Sequence, residues 1–247
     1  MWTTVSRRSP GTCAGITSAN GDNAHNYFNV YVATVAIMAY VIAVLNQKGG
    51  VGKSTLSTNL STAYARRGRK TLLADADSQG TARNWRGTGP SAEEHGKAFP
   101  DVVGADTAEA IETLTGDEIT GAFDVVVIDA PPGVTEGPGE VTVGALKAAD
   151  LVLLPVRPSG ADLWATSDLA ELVTTRQDAT GAPDAAFVVT QADARTNVAK
   201  EISGALEKLG IPALNARCGF RVDYTKALGK GVAVEDIQPG GKAAGEI

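Results

Sequence analysis

The 247-residue chain has few cysteines, no apolar run long enough for a membrane helix and no excess of positive charge. Its two cysteines, Cys13 and Cys218, are too far apart for the spacing of a metal site, and their scarcity favours a reduced, intracellular setting. The longest apolar run, residues 30–45, falls short of the roughly 20 residues that span a bilayer. The net charge of −6 does not indicate a nucleic-acid binder, although it is compatible with a local basic patch.

The rest of the composition is typical of a globular α/β protein. Hydrophobic residues make up 43% of the chain and charged residues 20%, with 28 glycines, which argues against general disorder. Residues 1–37 are the exception, because most of them are polar without periodicity, and we predict a disordered or non-native arm there. Met38 is an attractive alternative start. Residues 38–247 are predicted to form one domain, since we find neither an internal repeat nor a linker within their alternating elements.

Apolar runs and helical patterns alternate along this domain, which predicts parallel β-α units joined by right-handed crossovers. Strands are predicted at 39–45, 70–74, 99–103, 123–129, 149–155, 186–190 and 211–214. Helices are predicted at 54–67, 107–114, 161–175 and 197–209, with a further short helix that ends at Trp85.

The most informative stretch is residues 46–55, Asn-Gln-Lys-Gly-Gly-Val-Gly-Lys-Ser-Thr, between an apolar run and a helical pattern. This is the strand–loop–helix context of a phosphate-binding loop, in which glycine amides and a helix N-terminus donate N–H groups to phosphate oxygens. Lys53 would contact the outer phosphates, and the hydroxyl of Ser54 would bind Mg²⁺. The placement disfavours an ordinary glycine-rich turn. The predicted nucleotide-binding residues are Gly49, Gly50, Val51, Gly52, Lys53, Ser54 and Thr55.

Three carboxylates follow two of the predicted strands. Asp75 and Asp77 stand at i and i+2 at the end of one strand, so they point the same way. At the carboxyl end of a strand beside a phosphate loop they would meet Mg²⁺ or an attacking water, whereas alone they would also suit a solvated turn. Asp129 ends the apolar run that begins at Phe123 and precedes Ala-Pro-Pro-Gly, the Walker B arrangement, which aims a carboxylate at Mg²⁺.

These motifs together resemble the ParA/MinD superfamily of deviant Walker A P-loop ATPases, and most of all its small, ParF-like plasmid partition proteins. The loop carries an additional lysine, Lys48, at its front, and Gln47 stands where the usual pattern has glycine. The segment 75–79 matches the family pattern Asp-x-Asp-Pro-Gln except that Ser78 replaces proline. The resemblance covers residues 38–247. The chain ends where the final helix of small ParA proteins would begin, so we expect that this helix is truncated or absent.

The resemblance implies a single P-loop NTPase domain, with a mostly parallel twisted sheet flanked by helices on both faces. It also implies a homodimer with ATP and Mg²⁺ sandwiched between the subunits. In such a dimer Lys48 would reach the partner's ATP in trans, Asp77 would position the attacking water, and both would act with Lys53 in catalysis. The implied magnesium residues are Ser54, Asp129 and Asp75. Switch regions are expected near 80–96 and at 130–137.

By the same resemblance we expect a cytoplasmic, nucleoid-associated ATPase for partition of plasmid or chromosomal DNA. Its ATP-bound dimer would bind DNA non-specifically, and a centromere-binding ParB-type adaptor would stimulate hydrolysis. We expect no stable membrane anchor, because no basic amphipathic helix is found towards Ile247. The candidate DNA contacts lie where acidic residues thin out and are Arg217, Arg221, Lys226 and Lys230.

Two other functions stay open on the sequence. One is a MinD-like or cargo-positioning ATPase that carries a protein assembly instead of DNA. The other is a metabolic P-loop ligase of the dethiobiotin-synthetase kind, which would release phosphate only with its small substrate and without DNA.

Overall fold

A computed structural model describes residues 38–133, 138–193 and 198–247. The predicted arm at 1–37, part of the predicted switch at 130–137 and the first residue of the helix predicted at 197–209 lie outside the described residues.

The described residues contain one seven-stranded sheet. Its strands are β1 (Tyr40–Val44), β2 (Thr71–Asp75), β3 (Asp101–Gly104), β4 (Val125–Asp129), β5 (Leu151–Val156), β6 (Asp184–Ala192) and β7 (Ala213–Gly219). The strand order is β3-β2-β4-β1-β5-β6-β7, and every pair of neighbours is parallel. The predicted parallel α/β fold is therefore confirmed.

Helices cover both faces of the sheet. They are α1 (Lys53–Arg66), α2 (Thr81–Thr88), α3 (Ala92–His95), α4 (Ala108–Leu114), α5 (Asp117–Thr120), α6 (Pro138–Ala148), α7 (Gly160–Thr180), α8 (Val198–Leu206), α9 (Val222–Lys230), α10 (Val234–Ile237) and α11 (Lys242–Gly245). Leu56 of α1 and Trp85 of α2 pack on one face, and Leu146 of α6 and Leu169 of α7 on the other. In the described ranges, no helix is both long and apolar enough to cross a membrane.

The central strand β1 shows why its sequence is continuously apolar. Val41 and Ala43 face one hydrophobic cluster, while Ile42 and Val44 face the other. A parallel strand that is covered on both faces requires apolar side chains at every position, so it lacks the alternation of a half-exposed strand.

The same register brings the two predicted carboxylates together at one edge of the sheet. Asp129 of β4 pairs in register with Val44 of β1 on one side and with Asp75 of β2 on the other side. Both carboxylates therefore lie next to the loop that follows β1, which is where open α/β sheets bind ligands.

The sequence patterns do not predict part of one strand or six of the eleven α-helices in the described residues, namely α3, α5, α6, α9, α10 and α11. Helix α6 was not predicted, because it begins at Pro138 within a Pro/Gly-rich stretch and contains Gly144, both of which obscure a helical pattern. Helix α9 was not predicted either. Strand β7 extends to Gly219, five residues beyond the predicted end at Leu214, because this edge strand is largely exposed and carries no apolar run.

Helix α2 meets the end of α9 at a glycine–glycine contact. A Cβ atom added to Gly89 would overlap the backbone carbonyl oxygen of Gly231, and Trp85 anchors the same contact through a 3.0 Å hydrogen bond from Nε1 to the carbonyl oxygen of Val232.

We expect Gly89→Ala to lower the free energy of unfolding by about 2–4 kcal/mol. Urea unfolding measures it. Gly87→Ala is the matched control, since its added Cβ meets no atom within 4 Å. Equal free energies of unfolding in the Gly89→Ala and Gly87→Ala variants would contradict the close contact between Gly89 and Gly231.

Candidate nucleotide-binding site

The loop between β1 and α1 has the backbone of an anion-binding turn. Gly50 and Gly52 have φ angles of 71° and 94°, in the left-handed region that glycine adopts without strain. Gly52 is the N-cap of α1, and none of the described side chains caps that end of the helix. The first N–H groups of a fourteen-residue helix are therefore available to an anion such as phosphate.

Two residues at the end of β6 fix this loop from one side. The hydroxyl of Thr190 donates to the carbonyl oxygen of Val51 at 2.7 Å, and Nε2 of Gln191 donates to that of Gly50 at 2.7 Å. Sequence patterns identify neither residue as part of the site. Thr190 ends a predicted strand, so its place at this edge of the sheet could have been inferred, but its partner in the loop could not.

Lys53 is enclosed by the loop that it would serve. Its side chain is buried, and Nζ donates to the carbonyl oxygens of Asn46 at 3.3 Å and Lys48 at 3.1 Å. Burial lowers the pKa of Lys53, while the charges of Asp129 and Asp77 act in the opposite direction. The ammonium is thus already placed among the loop carbonyls, next to the α1 N-terminus.

Asp75 and Asp129 are fully buried and incompletely hydrogen-bonded. Oδ1 of Asp129 accepts from the hydroxyl of Ser57 at 3.1 Å, and Oδ2 of Asp75 accepts from the backbone N–H of Arg83 at 2.8 Å. Oδ2 of Asp129 and Oδ1 of Asp75 have no hydrogen-bond partner among the residues that the structure describes. The hydroxyl of Ser54 is near enough to favour the charged form of Asp129.

This donor set fits Mg²⁺. Buried carboxylate oxygens without a partner are costly, and a hard divalent cation is the ligand that oxygen donors of this kind hold. Within the described residues, no group of three or more His, Cys, Asp or Glu side chains could hold a metal ion by itself. A magnesium ion that binds one or two carboxylates and substrate phosphates needs no such group.

Burial sets the protonation of the two carboxyl groups. It raises the pKa of Asp129 from 3.8 to about 7, opposed by the hydroxyls of Ser54 and Ser57, and it raises the pKa of Asp75 as well. The folded protein therefore binds a proton at Asp129 that the unfolded chain has released between about pH 4 and pH 7. The stability contributed by the protonated group is present below about pH 4 and is lost as the pH rises through about 7.

We expect the unfolding free energy of the nucleotide-free protein to fall over this window, with at most about 4 kcal/mol due to Asp129. Asp129→Asn should remove the contribution of Asp129 to the pH dependence of the unfolding free energy, while the contribution of Asp75 persists. Urea unfolding in the presence of a chelator, between about pH 5 and 8, measures it. Identical pH slopes in the two proteins would contradict the raised pKa.

Asp77 lies two residues beyond the end of β2, on the turn that leads into α2. It is partly buried, and Oδ1 accepts from the backbone N–H of Gln79 at 3.0 Å, which closes the turn. Gly80, with φ 66°, then starts the helix. The turn keeps its carboxylate at the same edge of the sheet as the buried pair, and its charge acts on Lys53.

Lys48 is at the outer side of the loop and is bound by helix α7 of its own subunit. Its Nζ lies 2.9 Å from Oδ1 of Asp162. The structure therefore brings together the loop, Lys53, Ser54 and the buried carboxylates, but it holds Lys48 in a separate ion pair.

The four candidate DNA contacts are not equivalent. Lys226 and Lys230 are exposed on α9. Arg221, in contrast, is bound through its guanidinium to Glu246, with Nε 2.8 Å from Oε1. Arg217 is partly buried in β7. Lys226 and Lys230 are thus the stronger candidates, because the charge of Arg221 is already neutralised.

The family model described as the CobQ/CobB/MinD/ParA nucleotide binding domain matches residues 42–236. The chain belongs to this family. The match includes the phosphate loop and both buried carboxylates, so the resemblance inferred from the motifs is confirmed at this level.

Curated relatives support the assignment. The chain is 31% identical over 208 residues to the maintenance of carboxysome distribution protein A of Halothiobacillus neapolitanus, covering 84% of this chain and 92% of the relative. It is 33% identical over 198 residues to the chromosome-partitioning ATPase Soj of Thermus thermophilus, covering 67% and 74%.

A solved structure shows the same fold. The septum site-determining protein MinD of Pyrococcus horikoshii, in complex with Mg-ADP, superposes with a TM-score of 0.62 at 19% identity and covers 85% of this chain and 93% of that chain.

Proposed function

We propose that this chain is an ATPase that forms a homodimer around ATP and Mg²⁺ and uses the dimer to segregate DNA in the cell. The observation that carries the proposal is the pair of buried, unpartnered carboxylate oxygens on Asp75 and Asp129 beside a phosphate loop. ATP with Mg²⁺ is the cofactor set that such a site fits. The ATPase named among the relatives and the Mg-ADP complex among the structural neighbours support it.

The residues of the site would divide the chemistry between them. The loop amides and Lys53 would hold the phosphates, and Ser54, Asp75 and Asp129 would hold Mg²⁺, which offsets negative charge on the phosphate oxygens when bound. Asp77 would accept a hydrogen bond from the attacking water and orient it.

The dimer would complete this site, because Lys48 of the partner subunit would add positive charge to the transferred phosphoryl group. Such positioning and charge compensation are the main contributions of a protein to phosphoryl transfer.

The ATP-bound dimer would bind duplex DNA without sequence preference. A ParB-type adaptor would stimulate hydrolysis and release it, so the protein would act in the cytoplasm, on the nucleoid. The exposed lysines of α9 supply a binding surface that the net charge of the chain does not indicate.

Charge reversal on α9 tests the DNA surface. We expect the double variant Lys226→Glu with Lys230→Glu to lose at least about tenfold in affinity for non-specific duplex DNA at low salt, with ATP hydrolysis unchanged. Retention on DNA is measured with ATP, ADP or no nucleotide at about 50 and 200 mM salt. Lys147→Glu, an exposed charge reversal on α6, is the control. If the double variant and the control bind DNA equally, α9 is not the DNA surface.

A second candidate cargo is a protein assembly. It is favoured by the relative named for carboxysome distribution, which matches over 92% of its length. Deletion of the gene in its own organism distinguishes DNA partition from the positioning of a protein assembly. Loss of a replicon supports partition, and clustering of a protein assembly supports positioning. Phosphate release that requires a small substrate and is indifferent to DNA would support the metabolic ligase instead.

A further inference from the structure

Glu246, the residue that follows α11, collects hydrogen bonds from three residues on one carboxylate. Oε2 accepts from the backbone N–H of Gly219 at 2.9 Å and from the hydroxyl of Tyr224 at 2.9 Å. Oε1 accepts from Nε of Arg221 at 2.8 Å and from a terminal nitrogen of the same guanidinium. These donors belong to the end of β7, to the turn that follows it and to the first turn of α9. One side chain therefore ties all three pieces to the segment that carries α11.

The contact is a charged and partly buried one. The side chain of Glu246 is 16% exposed and that of Arg221 is 25% exposed. Burial alone would raise the pKa of Glu246, but the hydrogen bonds from Arg221, Gly219 and Tyr224 outweigh it and lower the pKa. The carboxylate is thus charged at neutral pH, and hydrogen bonds to a charged acceptor are stronger than those between neutral groups. The guanidinium also packs on the strand end, since a Cβ atom added to Gly219 would lie 3.0 Å from a terminal nitrogen of Arg221.

The turn that this carboxylate holds is one wall of a cavity beside the phosphate loop. The cavity has a volume of about 200 Å³, and its lining includes Gly52 and Thr55 on the side of the loop and Phe220, Arg221 and Tyr224 on the other side. A nucleotide whose phosphates lie on the loop amides can place its nucleoside here. Aromatic and other apolar side chains with a few fixed polar groups are typical of such a site.

Strand β6 joins the same turn to the loop. The backbone N–H of Phe220 donates to the carbonyl oxygen of Ala192 at 3.0 Å, and the side chain of Gln191, the preceding residue, donates to Gly50. Gln191 has a φ of 51°, a left-handed conformation that is unfavourable for a residue other than glycine. The turn is therefore held from two directions, by β6 and by Glu246.

We propose that Glu246 is a positioning residue that fixes, through Gly219 and Arg221, the cavity wall against which the nucleoside of bound ATP rests. This inference rests on the proposed function, in which the loop binds ATP. Glu246 acts on the affinity for the nucleoside part of the ligand. The phosphates depend on the loop amides and Lys53 instead, so a loss of Glu246 affects the two parts of ATP unequally.

The contact itself is tested without nucleotide, on the full chain, by hydrogen exchange and mass spectrometry. Glu246→Gln should raise the exchange rate in the peptide that covers residues 217–224 at least about threefold, because the N–H of Gly219 loses its charged acceptor. Glu171→Gln, the same substitution at an exposed carboxylate on α7, is the control. If the Gln variant does not fold, Glu246→Asp replaces it, since it keeps the charge and is one methylene shorter. Unchanged exchange in the folded variant would overturn the proposal.

The role in binding is tested by calorimetric titration in the presence of Mg²⁺ with two ligands, a slowly hydrolysed ATP analogue and inorganic triphosphate, which has no nucleoside. Glu246→Gln should weaken binding of the analogue about three- to tenfold, because the ordered wall is populated only part of the time, and change that of triphosphate less than about twofold. Unchanged affinity for the analogue, or equal losses for both ligands, would overturn the proposal. If the wild type binds neither ligand, the proposed function fails and the role of Glu246 in binding fails with it, whereas hydrogen exchange still decides whether the carboxylate holds the turn.

A double variant shows whether Glu246 acts through the guanidinium. Arg221→Gln alone should weaken binding of the analogue by a similar factor. Added to Glu246→Gln, it should cost less than about a further twofold, because both substitutions break the same contact. Losses that multiply in the double variant would mean that the two side chains act separately, which would overturn the route through Arg221.

Discussion

Replacing Lys53 by alanine is expected to weaken ATP binding by on the order of 100-fold or more, about 3 kcal/mol, because the ammonium is the charged partner of the outer phosphates. The fold should survive. Among the described residues, Nζ donates to two carbonyl oxygens of its own loop and is in no ion pair, and burial lowers the pKa of this lysine against the charges of Asp129 and Asp77. Removing a buried charge that is in no ion pair within the described part of the chain costs little, so we expect an unchanged or higher melting temperature without nucleotide.

Calorimetric titration with a slowly hydrolysed ATP analogue measures the change in affinity. Lys70→Ala, at an exposed lysine before β2, is the control. Wild-type affinity in Lys53→Ala would contradict the assignment of the phosphate loop. If Lys53→Ala has a lower melting temperature than the wild type, its affinity for the ATP analogue is measured well below that temperature. The assignment of the phosphate loop then requires that the loss of affinity is still present.

The second large effect is expected from Lys48→Ala, which should leave ATP affinity within about threefold of the wild type but lower turnover by on the order of 10³-fold. The physical reason is that the ammonium of Lys48 is bound by the first turn of α7 and not by its own loop, so the ground-state binding of ATP does not need it. Its charge would act only in the dimer, on the phosphoryl group held by the other subunit. Steady-state phosphate release and equilibrium binding together measure this separation.

A mixing experiment decides between action in trans and in cis. Lys48→Ala subunits have an intact Asp77 but lack the lysine, and Asp77→Ala subunits have the lysine but cannot orient water. In an equal mixture with random pairing, a trans role predicts about a quarter of the wild-type activity per subunit, since half of the dimers carry one complete site. A mixture as inactive as either variant alone would exclude the trans role.

The parts of the site that the sequence predicts are those encoded by local patterns. The loop ending in Lys53 and Ser54, and a carboxylate closing each of two apolar strands, appear as short motifs with their expected neighbours. Parallel pairing then places Asp75 beside Asp129 without any further information, because carboxyl ends of parallel strands meet at one edge.

The parts that the sequence does not predict are contacts between distant residues. Lys48 and Asp162 are separated by more than a hundred residues, and so are Thr190 and the loop carbonyl that it binds. No local pattern selects one acceptor among many polar side chains at that distance. Arg221 shows the same limit, since a basic residue in a stretch of few acids is neutralised by Glu246, 25 residues further on.

The most direct test of the central claim is the molar mass of the full chain by light scattering, with ATP, with ADP and without nucleotide. The Asp77→Ala variant is measured as well, because its expected slow hydrolysis would keep ATP bound during the measurement. The account predicts a monomer near 25.3 kDa without nucleotide and with ADP, and a dimer of twice that mass with ATP and Mg²⁺. A mass that is the same in all three conditions, whether monomer or dimer, would contradict an ATP-driven dimer.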